Sequence, residues 1–126
     1  MTERVHVDID RDLRAPAMAR RAVERFGAML DPSIVPDVRL LVSELITNSV
    51  KYGADGTVEL IMTTEHPRHA HVEVVDQGAG FVPTSRDRPM TEVGGWGLHL
   101  VESLTRRWGV HEGSTHVWFE IDHRDD

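Results

Sequence analysis

Hydrophobic and polar positions change their period along this chain, and the changes mark out its elements. Val5-His6-Val7-Asp8-Ile9 alternates apolar and polar residues, which predicts a first strand with one buried face. Over residues 13–29 the period lengthens to that of a helix. Ala15, Ala19, Ala22, Val23, Phe26 and Leu30 fall on one stripe, and Pro16 suits the first turn. Arg14, Arg20, Arg21 and Arg25 lie off that stripe and read as its solvated side. Asp31-Pro32-Ser33 breaks the helix. A second helix accommodates Pro36 early and ends at Gly53, a natural C-cap. Its apolar stripe is Val38, Leu41, Val42, Leu45, Ile46, Ser49 and Tyr52.

Strand patterning returns at residues 57–62 and 70–75, a predicted hairpin joined through Glu65-His66-Pro67-Arg68. Residues 82–93 are rich in Pro, Thr, Ser and Arg and show no period. Residues 98–107 predict a third helix with Leu98, Val101 and Leu104 inward. Two last strands, 108–111 and 115–121, are joined at Glu112-Gly113, and the tail from His123 is expected to fray. Strands separated in this way by helices imply an α+β two-layer sandwich: one mixed β-sheet with three main helices on one face. The other face must then be wet or meet a partner.

Composition narrows the function classes. At 126 residues the chain is expected to form a single domain, 1–126. No apolar run approaches the roughly 20 residues that span a bilayer, and Met1-Thr2-Glu3-Arg4 is not a signal peptide, so a cytoplasmic protein with no membrane association is expected. There is no cysteine, which removes disulfides and thiolate metal sites. A net charge of -7 argues against direct nucleic-acid binding. The one lysine, Lys51, is followed by Tyr52, which excludes a Walker-type phosphate loop. His69 and His71 have metal-ligand spacing, but no third ligand can be named for them; Asp8 and Asp12 read as solvated charge.

Three features carry candidate chemistry. Glu44 and Asn48 are one turn apart on the second helix, at the edge of its apolar stripe instead of on its solvated side. A carboxylate placed there is costly unless something uses it. Asp76 closes a strand and is followed by Gly78 and Gly80, which alone is common turn chemistry. Gly94-Gly95-Trp96-Gly97 opens the third helix, where backbone N–H groups and the helix N-terminus favour a phosphate.

Taken together, Glu44-x-x-x-Asn48, Asp76-x-Gly78-x-Gly80 and Gly95-x-Gly97-Leu98 resemble the N, G1 and G2 boxes of the GHKL ATPase/kinase superfamily. Ser43-Glu44-Leu45-Ile46-Thr47-Asn48, Gly97-Leu98-His99-Leu100-Val101 and Val117-Trp118-Phe119-Glu120 resemble its anti-sigma-factor serine kinases. The resemblance covers nearly the whole chain and implies a Bergerat-type ATP-binding fold. It implies Glu44 as general base and Asn48 as ligand of Mg²⁺. It implies Asp76 as acceptor for the adenine amino group, with Gly78 and Gly80 passing close under base and ribose. Gly95, Gly97 and Leu98 would bring backbone donors to the phosphates of ATP, and Thr115 would support the adenine end. Residues 82–93 would be the lid, with Arg86 or Arg88 in reach of the γ-phosphate; a solvated role for either, and for Lys51, is the simpler reading.

At 126 residues the sequence is expected to carry neither the dimerisation helices of a sensor histidine kinase nor the transducer domain of the larger superfamily ATPases. The resemblance therefore implies a regulatory protein kinase. It would phosphorylate an anti-anti-sigma (STAS) protein on serine or threonine, sequester a sigma factor, and form a homodimer through a sheet edge or face. The alternative is a non-catalytic module whose ATP only sets partner choice. A retained Glu44 favours the kinase, since a pure binder needs no base.

Overall fold

The computed structural model describes residues 2–52, 56–76, 104–111 and 116–123; at 48, 49, 51, 52, 76, 110 and 111 it describes the backbone only. Strand β1 (Glu3–Asp10) leads into α1 (Ala15–Gly27) and α2 (Val35–Tyr52), followed by β2 (Thr57–His66), β3 (His69–Asp76), β4 (Arg107–His111) and β5 (His116–Asp122). The five strands form one sheet in the order β1-β2-β3-β5-β4.

Every described pairing is antiparallel, which corrects the mixed sheet expected from the sequence. The reason lies in the number of helices between β1 and β2. A single crossover helix would return the chain to the starting end of β1 and make β2 parallel. Two helices cancel, and the chain re-enters where β1 ended: Arg11 N–H donates to the Gly56 carbonyl at 3.1 Å, and Asp10 pairs with Thr57. Gly56 has φ 130°, a backbone conformation that disfavours any side chain, and it makes this re-entry turn.

Alternation sets the two faces. In β2 every second residue, Val58, Leu60, Met62 and Thr64, is buried. Ala70, Val72 and Val74 of β3 and Val117, Phe119 and Ile121 of β5 continue that buried layer. Against it lie Ala15, Ala19, Ala22, Val23 and Phe26 of α1, with Leu30 just beyond, and Val38, Leu41, Val42, Leu45 and Ile46 of α2. All six residues of the first predicted stripe are buried, as are the first five of the second; Ser49 and Tyr52 lie outside the described side chains. Arg14, Arg20, Arg21 and Arg25 are exposed, as expected.

The α1–α2 connection is fastened to the far end of the sheet, where Asp31 N–H donates to the Pro67 carbonyl at 2.7 Å. The same hairpin carries an irregular register between Thr63 and His66. The buried Thr64 hydroxyl sits 2.6 Å from both the His66 and His69 carbonyls and accepts the His66 N–H at 3.2 Å, so this buried side chain finds its partners within the hairpin.

Two helices are found among the described residues. The third, predicted over 98–107, lies outside them as far as residue 103. Leu104 is helical and packs against the core, but Arg107 opens β4, so the predicted end is too late. Pairing decides this: Arg106 N–H donates to the Glu120 carbonyl at 2.8 Å, and Arg107 stands opposite Glu120. No helix among the described residues is long and apolar enough to cross a membrane.

Candidate active site

Helix α2 runs from the β2–β3 hairpin end of the sheet toward the Gly56 end. Asp37 in its first turn complements the helix dipole, and Leu41, Val42, Leu45 and Ile46 bury its inner side. Glu44 sits among these residues and is half-buried, as its place at the stripe's edge predicts. No described residue forms an ion pair with it among the salt bridges of the molecule. Asn48 follows one turn later on the same helix, one turn before its end at Tyr52.

Strand β3 brings Asp76 to this same end. Its last residue pairs with Val58, the second residue of β2, and β2 begins just after the chain leaves α2. The Glu44–Asn48 turn and Asp76 are therefore carried toward one end of the sandwich by different elements, and α2 packs against β3. His116, the residue after Thr115, pairs with Val75 beside Asp76. Gly78, Gly80, Gly95, Gly97, Leu98 and Thr115 themselves lie outside the described residues, as do Arg86, Arg88 and the side chains of Asn48, Lys51 and Asp76.

The donor types at this end fit a magnesium nucleotide. A half-buried carboxylate without a described cationic partner and a carboxamide one turn away are hard oxygen donors, which Mg²⁺ prefers. A cavity of about 480 Å³ lined by Glu65, His69, Arg106, Arg107, Glu120 and Asp122 belongs elsewhere. It sits at the hairpin end of the sheet, where His69 pairs with Asp122 and Arg107 with Glu120.

Comparison with known proteins decides the family. The profile of the histidine kinase-like ATPase domain matches residues 9–121. This chain belongs to that family. Among its relatives, an anti-sigma F factor of Clostridium acetobutylicum is 33% identical over 99 residues, covering 70% of this chain and 69% of the relative. A serine-protein kinase RsbW of Listeria innocua is 33% identical over 84 residues, covering 56% of this chain and 54% of the relative. The solved structure of the RsbU and RsbW domains of a Mycobacterium tuberculosis protein superposes with a TM-score of 0.67 at 20% identity. It covers 97% of this chain and 32% of that one, and shows the shared fold. The family places this chain among the GHKL anti-sigma kinase-like proteins, and an ATP-binding domain is what that family is built on.

The sheet's open face holds polar residues whose partnerships sequence reasoning missed. His116 Nε2 lies 2.7 Å from Glu73 Oε1, and His71 bridges Glu73 and Glu120 at 3.3 Å each. Arg107 donates to Glu120 through Nε at 3.0 Å and Nη2 at 2.8 Å. The Trp118 indole stacks on His71 with centroids 5.7 Å apart. His69 and His71, weighed as metal ligands, instead face Glu120. Their spacing at alternate strand positions was the available signal; the carboxylate they share, Glu120, comes from β5, about fifty residues on.

Burial is the largest single influence on the Glu120 carboxyl and opposes its ionisation. The hydrogen bonds from Arg107 and His71, with the charges of Arg107 and His69, outweigh it and hold that carboxyl below the usual glutamate range.

Proposed function

We propose that this protein is an ATP-binding anti-sigma-type regulator with protein-serine/threonine kinase activity, formed by one domain over residues 1–126 and working in the cytoplasm. It transfers the γ-phosphoryl group of Mg·ATP to a hydroxyl of an anti-anti-sigma partner of the STAS class, and it sequesters a sigma factor as a second partner. It works as a homodimer. The observation that carries this reading is the half-buried Glu44 on α2, one turn from Asn48 and at the sheet end reached by Asp76. The names of its relatives, anti-sigma F factor and serine-protein kinase, support both halves of the activity.

In this reading Glu44 orients the partner's hydroxyl and takes its proton. A bond forms from that oxygen to the γ-phosphorus as the bond from the γ-phosphorus to the β-bridging oxygen breaks, leaving ADP. Bound Mg²⁺ supplies charge neutralisation on the phosphates. Asn48 offers the metal a neutral, hard oxygen; Asp76 accepts from the adenine amino group and selects against guanine. Gly78 and Gly80 admit the base and ribose, Gly95, Gly97 and Leu98 give backbone donors to the phosphates, and Thr115 supports the adenine end. Catalysis is then mostly positioning, which suits a site on a helix packed into a rigid core.

Incubation with γ-labelled ATP, Mg²⁺ and the STAS proteins of the same organism tests the proposal. Label on a partner serine or threonine is expected. Nucleotide-dependent partner binding with no label transfer would favour the non-catalytic module instead.

A further inference from the structure

We propose that His6, Asp8 and Glu59 form a binding site for a divalent transition-metal ion of the zinc class on the open face of the sheet. His6 and Asp8 are alternate residues of β1 and so share one face. Asp8 is paired directly with Glu59 of β2. Like charges directly opposite each other in an antiparallel pair are destabilising. Here two carboxylates occupy such a pair at the edge of the sheet, because β1 is an outer strand.

The second observation is where the oxygens stand. One imidazole nitrogen, His6 Nε2, faces Asp8 Oδ1 at 3.9 Å and is in direct contact with Glu59 Oε2. One ligand atom from each of the three residues lies within 4.8 Å of the other two. A divalent cation at the common centre serves all three. Ligands about 2.0–2.2 Å from a tetrahedral zinc ion stand roughly 3.3 Å apart, so only small side-chain movements close the set.

The donor chemistry selects the metal class. An imidazole with two carboxylates suits Zn²⁺ and its neighbours better than Ca²⁺ or Mg²⁺, which take oxygen donors. The side chains of His6, Asp8 and Glu59 are 40%, 69% and 19% exposed, so the ion has a way in and water can take the fourth position. The three residues lie on paired strands, which holds two of the ligands at a fixed spacing. The site is separate from the α2 carboxylate Glu44, since it lies on the face of the sheet away from the helices.

Calorimetric titration of the chelator-stripped full chain with ZnCl₂, without nucleotide, tests the inference. One equivalent per chain is expected to bind and to raise the thermal midpoint, because the ion binds the paired strands and not the unfolded chain. Cobalt(II) in its place is expected to give visible absorption bands from an imidazole–carboxylate set. His6→Gln, Asp8→Asn and Glu59→Gln should each weaken binding by at least ~10-fold. His71→Gln and His116→Gln, in the neighbouring histidine–glutamate network, should leave it unchanged. Absence of stoichiometric binding to the wild-type chain overturns the proposal. So does binding that is indifferent to the first three substitutions but lost with His71 or His116.

Discussion

Replacing Gly109 by alanine probes how tightly the open face is packed. Gly109 stands on edge strand β4 directly opposite Trp118 of β5. A Cβ at Gly109 would lie 2.6 Å from Trp118 Nε1, 2.8 Å from Cε2 and 2.9 Å from Cζ2. Favourable carbon contacts begin near 3.5 Å, so the indole must retreat by roughly half an ångström to one ångström. It is not free to do so cheaply, because its ring stacks on His71 with planes 17° apart. Overpacking of this kind costs about 1–3 kcal/mol. Part is offset, because the backbone of Gly109 is not in the left-handed region and alanine restricts the unfolded chain, worth about 0.4–1 kcal/mol. The net expectation is a loss of ~1–2 kcal/mol, read as a lower urea midpoint with unchanged slope by circular dichroism. In a Trp118→Ala background the clash is gone, and the same substitution should become neutral or slightly stabilising. A Gly109→Ala chain as stable as wild type in the unaltered background would refute the packing described for this face.

The remaining expectations concern the charge network and the nucleotide. A carboxyl held below its ordinary range, as in Glu120, contributes stability that is present above the unfolded value and lost as pH falls through the folded one. Arg107→Ala should therefore move the acid-unfolding midpoint to higher pH; an unmoved midpoint means that the pair contributes nothing. Asn48→Ala should weaken ATP binding in Mg²⁺ far more than in EDTA, and equal losses in both would remove it from the metal. Asp76→Asn should narrow the preference for ATP over GTP, and unchanged selectivity would take away the adenine contact.

Much of the fold was legible because it rests on period alone. The α1 stripe from Ala15 to Leu30 is buried at every predicted position, since one amphipathic helix has one way to face a core. The strands were legible for the same reason, with ends shifted by at most four residues. Strand direction was not: both helices between β1 and β2 were read from the pattern, but direction also depends on which strands become neighbours, and that long-range pairing is not contained in local pattern. The end of the third helix was missed at Arg107 because its partner is Glu120 on another strand, and a long-range pairing overrides local helix propensity.

Candidate chemistry divided in the same way. Glu44 stood out within its own helix as a polar residue on an apolar edge, and the structure keeps it half-buried. The pairing of Asp76 with Val58, which carries it to the same end, came only with the sheet register. The cluster of His6, Asp8 and Glu59 was invisible in sequence, where Asp8 read as solvated charge. Glu59 is some fifty residues from His6 and Asp8, and the three meet only because Asp8 pairs with Glu59. On an open sheet face, such juxtapositions are written in register and not in composition.

Phosphotransfer by a Glu44→Ala chain tests the central claim most directly. The variant removes one half-buried carboxylate and leaves the packed residues Leu41, Leu45 and Ile46 in place. It should bind Mg·ATP with nearly unchanged affinity while label transfer to the STAS partner falls by about 10²–10⁴-fold, the usual contribution of a positioned general base. Transfer at the wild-type rate with ATP still bound would contradict the assignment of Glu44 as the base and, with it, the account of why α2 carries a carboxylate at the edge of the core.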